Sequence, residues 1–141
     1  MILLRQGKFA QAEAAFREAL RSAPGSARAY LNLGVLAEKR GRLDQATAFY
    51  REALRFEPNL AEAHYDLGNV LADQQQPDEA LAHWQEALRL KPDYVEAHFN
   101  IGFVLSRRGD VAGARAHWQQ ALRLKPDFAL AREALRRFPE R

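Results

Sequence analysis

Residues Ala61 to Tyr94 read AEAHYDLGNVLADQQQPDEALAHWQEALRLKPDY, and the same pattern runs on through Val95 to Phe128. With one window set beneath the other, His64 falls on His98, Gly68 on Gly102, Ala80 on Ala114, Trp84 on Trp118, Ala87 on Ala121 and Pro92 on Pro126, each 34 residues apart. One period earlier the corresponding places hold Tyr30, Gly34, Ala46, Tyr50, Ala53 and Pro58. Pro24, Pro58, Pro92 and Pro126 therefore stand in register along the chain. Such a chain is a tandem array, in which each unit gains its stability by packing on its neighbours.

Inside a unit the apolar residues follow a helical period in two blocks. Ala63, Leu67, Val70 and Leu71 form the first, and Ala80, Leu81, Trp84, Ala87 and Leu88 the second. Two amphipathic helices per unit follow. Each is about 14 residues, or roughly 20 Å, and alone would be marginal in water, so stacking must stabilise it. The turn between the two helices is marked by Gly41, by Gln76-Pro77-Asp78 and by Gly109-Asp110. Proline is tolerated at a helix start because its missing N–H has no intrahelical partner there. Asn59 with Glu62, and Asp93 with Glu96, have capping-box spacing directly after Pro58 and Pro92, which predicts helix starts there. Gly34, Gly68 and Gly102 sit inside the first helix of successive units, where glycine costs roughly 1 kcal/mol against alanine. The spacing predicts a close helix contact at each. Ala46, Ala80 and Ala114 face it, and the rings of Tyr50, Trp84 and Trp118 fill the space beside it as core rather than as a ligand platform.

Towards its start the chain begins mid-repeat, with Met1 at the ninth position of a unit. Leu3, Phe9, Ala12, Phe16, Ala19, Leu20 and Pro24 occupy the places of Ala37, Leu43, Ala46, Tyr50, Ala53, Leu54 and Pro58, so the second helix of that unit is intact. The end of an array without its neighbour lacks its usual cover. Towards the other end, ALAREALRRF begins another first helix that Pro139 stops early. Residues 127–138 therefore read as a C-terminal cap exposing Arg132, Arg136, Arg137 and Arg141. The expected division is a partial repeat over 1–26, full repeats over 27–60, 61–94 and 95–128, and a capping helix over 129–141.

The composition narrows the function. A 141-residue chain that is 48% hydrophobic and 28% charged, with mean hydropathy −0.45, has the make-up of a soluble globular protein. No run approaches membrane-spanning length, and the apolar opening MILL is too short for a secretory signal, so the expected place is the cytoplasm with no membrane partner. The net charge is +3, but Lys and Arg alternate with Asp and Glu along every repeat rather than forming a basic face. Solvated helix faces account for that, and no nucleic-acid partner is expected.

Chemistry-bearing residues are sparse. There is no cysteine, which excludes disulfides, thiolate nucleophiles and thiolate-ligated zinc. Ser22, Ser26, Thr47 and Ser106 are the whole supply of hydroxyl nucleophiles. None has a histidine nearby in sequence, and Ser22 and Ser26 flank the Pro24-Gly25 turn. His64, His83, His98 and His117 form two sets spaced by one period, which places His64 near His98 or His83 near His117 in adjacent repeats. Duplication explains them without a metal, since no HExxH motif or carboxylate-rich companion is present. No glycine-rich phosphate loop occurs. The expectation is no enzyme, no cofactor and no metal.

The 34-residue period, Leu33-Gly34, Leu67-Gly68 and Ile101-Gly102, the aligned alanines, the aromatic residue before Ala-Leu and the terminal prolines resemble the tetratricopeptide repeat over Met1 to Phe128. The chain departs from that pattern at Tyr30, His64 and His98, where the family often has tryptophan or leucine, and again after Phe128. The resemblance implies an all-α, right-handed helix–turn–helix solenoid whose first helices line a concave groove. By position, the groove residues it implies are Arg28, Leu31, Asn32, Val35 and Lys39, then Glu62, Tyr65, Asp66, Asn69 and Asp73, then Glu96, Phe99, Asn100, Phe103 and Arg107. Asn32, Asp66 and Asn100 resemble the asparagine ladder with which some members hold an extended peptide backbone. Tyr65, Phe99 and Phe103 would receive its apolar side chains. The lysine–asparagine–arginine clamp by which other members hold a chaperone tail is incomplete, because Leu31 and Tyr65 stand where lysine is wanted.

The function expected on this basis is a protein-interaction scaffold that binds an extended peptide or partner segment. The acidic patch of Glu62, Asp66 and Asp73 between Arg28 and Lys39 on one side and Arg107 on the other favours a ligand of alternating charge. Two other readings stand beside it. One is self-association through the helix that carries Phe9, Phe16 and Leu20; the other is a targeting segment of a larger enzyme.

Overall fold

The structure, a computed structural model, describes residues 2–140, with side chains from Arg5 onward. The side chain of Leu3, and Arg141, which the repeat register had placed, lie outside the described residues. Eight helices and no strand are found among them: α1 (Ile2–Ser22), α2 (Ala27–Lys39), α3 (Leu43–Phe56), α4 (Ala61–Asp73), α5 (Pro77–Leu90), α6 (Val95–Arg107), α7 (Val111–Leu124) and α8 (Ala129–Arg137). The helices α2/α3, α4/α5 and α6/α7 pair as hairpins, and each hairpin packs on the next to form an all-α solenoid. No described helix is long and apolar enough to cross a membrane.

The turn inside each hairpin is built the same way three times. Gly41, Gln75 and Gly109 adopt φ values of 61° to 86°, in the left-handed region. At the first turn the Gly41 N–H donates to the Glu38 carbonyl and the Arg42 N–H reaches back to that of Ala37, at 2.9 Å each. Gln75 with Gln76, and Gly109 with Asp110, repeat the pair of bonds. This is the Schellman closure, which satisfies the last carbonyls of the first helix. Glycine marks two of these turns in the sequence; at the third, Gln75 takes the same backbone conformation without glycine's freedom. Pro77 then opens α5 at its first turn.

The starts of the first helices differ from the capping-box expectation. The N-cap residues are Leu60 and Tyr94, and neither start has a side-chain cap bond. Asn59 and Asp93 lie one residue too early, inside the turn that follows Pro58 and Pro92. Only Ser26, at the equivalent place before α2, caps with its side chain, accepting from the Ala29 N–H at 3.2 Å.

The helical glycines meet the rings expected to lie beside them. A Cβ added at Gly34 would stand 2.4 Å from Tyr50, and at Gly68 or Gly102 it would stand 2.4 Å from the indole nitrogen of Trp84 or Trp118. Ring and backbone thus occupy the same space, and all three rings are buried. Ala46, Ala80 and Ala114 are completely buried beside them.

The two ends depart from the regular hairpin. α1 is one unbroken helix of 21 residues that passes through Gly7, the place of the Gly41 turn one period later. Phe9, Phe16 and Leu20 are half-buried, and no described residue of α1 is fully buried. At the far end α8 lays Ala131 against α7, and Arg132, Arg136 and Arg137 are exposed.

Candidate interaction surface

Asn32, Asp66 and Asn100 project one from each first helix, and all three are half-buried. They are not equivalent. The Asn100 amide donates to Asn69 Oδ1 at 2.9 Å and towards the Tyr65 hydroxyl at 3.5 Å. Asn69 Oδ1 also accepts the indole N–H of Trp84 at 3.1 Å. No side-chain hydrogen bond of Asn32 or Asp66 is found among the described residues. Burial, then the charges of Glu38 and Glu62, push the Asp66 carboxyl up to about 7. Near neutrality it is partly protonated and can donate a hydrogen bond as well as accept one, as an asparagine amide does.

The aromatic residues divide differently from the sequence expectation. Tyr65 packs at a tilt of 31° against Tyr94 with centroids 4.6 Å apart, and Phe99 meets the edge of Phe128 at 5.6 Å. Both are half-buried and packed against the core, so they are mostly spent on the fold. Leu31 is buried outright at 3% exposure and leaves the groove set. Phe103 is the exception, 50% exposed, with the Arg107 guanidinium 5.8 Å above its ring. It borders a cleft of about 660 Å³ together with Asp73, Trp84, Val104, Arg107 and Arg108. Val104 and Arg108 were not among the sequence candidates, because they belong to the core face and the turn.

Charges on this side are partly self-satisfied. Arg28 holds Glu62 at 2.8 Å, with both groups exposed, so the pair contributes little stability. Lys39, Asp73, Glu96 and Arg107 are exposed. Arg108, at the rim of the cleft, is tied to Asp78.

The histidines pair within a repeat rather than between repeats. His64 meets His83 with Nδ1 atoms 3.0 Å apart, and His98 meets His117 at 3.1 Å. The reason is topological. Equivalent positions in adjacent units lie a full repeat apart along the solenoid, whereas the two helices of a hairpin face each other directly. Among the described residues no three His, Asp or Glu side chains gather into a metal-binding group. Three of the four Ser and Thr hydroxyls serve structure: Thr47 donates to Gln74 at 3.3 Å, Ser106 to the Phe103 carbonyl at 2.7 Å, and Ser26 caps α2, while Ser22 is exposed at the end of α1.

Comparison with known proteins places the chain among repeat proteins. Sequence models described as tetratricopeptide repeat match residues 1–61, 49–82 and 95–128, and one described as TPR repeat matches 68–109. No individual curated protein matches. Among solved structures, MamA is similar with a TM-score of 0.83 at 24% identity, over 93% of this chain and 77% of that one. YrrB, described as a TPR protein with an unusual peptide-binding site, gives 0.79 at 23% identity, over 94% and 69%. The Arabidopsis OM64 TPR domain gives 0.77 at 20% identity, over 80% and 93%.

Proposed function

The chain belongs to the tetratricopeptide repeat family, and from that premise we propose that it is an interaction scaffold that binds an extended segment of a partner protein along its first helices. The observation that carries this reading is Phe103. A large apolar ring that is 50% exposed at the edge of a cleft, between Asp73 and Arg107, suits a partner side chain better than water. Asn32 and Asp66, half-buried and free of side-chain partners among the described residues, supply hydrogen-bonding groups for a peptide backbone. Asn69 and Asn100 stand beside them, and Arg28, Lys39 and Arg107 place positive charge at the two ends. Tyr65 and Phe99 shape the wall. The peptide-binding site named for YrrB supports the same use of the fold.

The test is a peptide-display selection on the purified chain, followed by affinity measurement on Phe103→Ala and on Asn32→Ala/Asn100→Ala. Each neutral hydrogen bond contributes about 0.5–1.5 kcal/mol, so the double change should weaken a selected peptide by about tenfold. Phe103→Ala should do at least as much, with helicity unchanged. Equal enrichment and equal affinity on all variants would remove this face from the account.

A second reading rests on α1. Its half-buried Phe9, Phe16 and Leu20 leave apolar surface that a second copy can cover. Light scattering over a wide concentration range tests it, and a strict monomer throughout defeats it.

A further inference from the structure

Each of the last two hairpins is bridged by a pair of imidazoles, His64 to His83 between α4 and α5, and His98 to His117 between α6 and α7. The bridging nitrogens are 3.0 and 3.1 Å apart while the ring centres are 5.3 and 5.4 Å apart, so the rings touch edge to edge through Nδ1. The protons can be assigned from the other contacts. Nε2 of His64 lies 2.9 Å from the Pro58 carbonyl and that of His98 lies 3.1 Å from the Pro92 carbonyl. A carbonyl only accepts, so each Nε2 carries its hydrogen. Neutral His64 and His98 therefore present a bare Nδ1 lone pair, and the Nδ1–H of His83 or His117 donates to it.

That arrangement takes up protons unequally. The first proton added to a pair goes to Nε2 of His83 or His117 and breaks no hydrogen bond. The second has one lone pair left, on Nδ1 of His64 or His98, where it would meet an N–H of a ring already positive. We infer that each pair is a proton-operated latch, which accepts one proton with its hairpin closed and a second only as the two helices part. The 27–60 unit has no such latch, since Tyr30 and Phe49 stand where the others have histidines.

The charges facing the pairs do not cancel this effect. His83 faces Arg51 of α3 and Glu79 and Glu86 of its own helix, while His117 faces Asp110 at the start of α7. The places of Arg51, Glu79 and Glu86 hold Gln85, Gly113 and Gln120 one period later. Glu79 is paired with Arg51 and Glu86 with Arg89, so little net charge faces the first pair, and one carboxylate, Asp110, faces the second. Burial holds His83, His98 and His117 below the ordinary imidazole value. The sign follows: a folded state that resists protonation loses stability as pH falls below about 6.5, where the unfolded imidazole gains its proton.

The experiment is hydrogen exchange of the full chain carrying Asp66→Asn, which removes the carboxyl that also titrates in this range, at about pH 7 and about pH 5, with rates corrected for intrinsic pH dependence. Protection in α4 to α7 should fall about tenfold more than in α2 and α3. In His83→Gln/His117→Gln the difference between units should vanish. An equal fall in all three units, or a difference that survives the double change, overturns the latch. Should the variant fold poorly, NMR titration of the native imidazoles decides. Two steps per pair, separated by about tenfold or more in proton affinity, are expected. Four independent single-step titrations overturn the proposal.

Discussion

At the scale of single residues, the two kinds of helical glycine predict opposite outcomes. Gly68→Ala gains helix propensity but drives a methyl to 2.4 Å from the Trp84 indole nitrogen, and should destabilise the protein by about 1–3 kcal/mol in urea unfolding. Gly7→Ala, with no atom within 4 Å of the new methyl, should stabilise by about 0.5–1 kcal/mol. Asp66 predicts a pH effect. Its carboxyl is raised to about 7 in the fold against about 3.9 unfolded, so folding takes up a proton between those values. The contribution of this one carboxyl should turn unfavourable as pH rises through that window and stay level above it, opposite in sign to that of the buried imidazoles. Asp66→Asn should gain on the order of 1–3 kcal/mol at pH 8 and nothing near pH 4, measured by thermal unfolding at both. The sequence revealed the glycines because a helix breaker kept at one period needs a packing reason. It placed Asp66 in the groove but concealed its raised carboxyl, because burial and two neighbouring carboxylates come from different turns and helices.

At the scale of helices, the length of α1 is the main difference from the repeat pattern. Arg5, Gln6 and Lys8 are exposed, so replacing all three by alanine should leave the thermal midpoint within about 2 °C of its starting value. Deleting through Phe16 should destabilise, because it removes Glu13, which binds Arg40 at 2.9 Å, and the half-buried phenylalanines. Helix existence was legible from the apolar period, and helix starts were legible only to within a residue. The Pro58-Asn59 and Pro92-Asp93 pairs hold cap-forming residues, but the proline turn uses them before the helix begins. The pairing of Tyr65 with Tyr94 and of Phe99 with Phe128 had a signal that composition alone hides. Small apolar Leu31 and Leu60 occupy these two places in the 27–60 unit, tyrosines in the next and phenylalanines in the third. Matched size at two positions 29 residues apart is the mark of a contact.

At the scale of the whole molecule, stability is a sum over units and their interfaces. Removing α8 by deleting residues 129–141 uncovers Trp118 and Ala121, and exchange in α6 and α7 should rise before that in α2 to α5. The array was legible because the period repeats every contact; what binds to it was not, because binding depends on the residues that break the period. Asn69 shows this. Its place holds Val35 in the unit before and Phe103 in the unit after. Its single Oδ1 joins α4 to Trp84 on α5 and to Asn100 on α6. The Trp118 N–H has no such side chain and donates to the Phe99 carbonyl at 3.2 Å. The two indoles therefore differ as optical probes. An occupant that draws the Asn100 amide away alters the electric field at Trp84 and leaves Trp118 silent. Intrinsic emission should then report occupancy in Trp118→Phe and lose that response in Trp84→Phe, making the protein its own sensor without an attached dye.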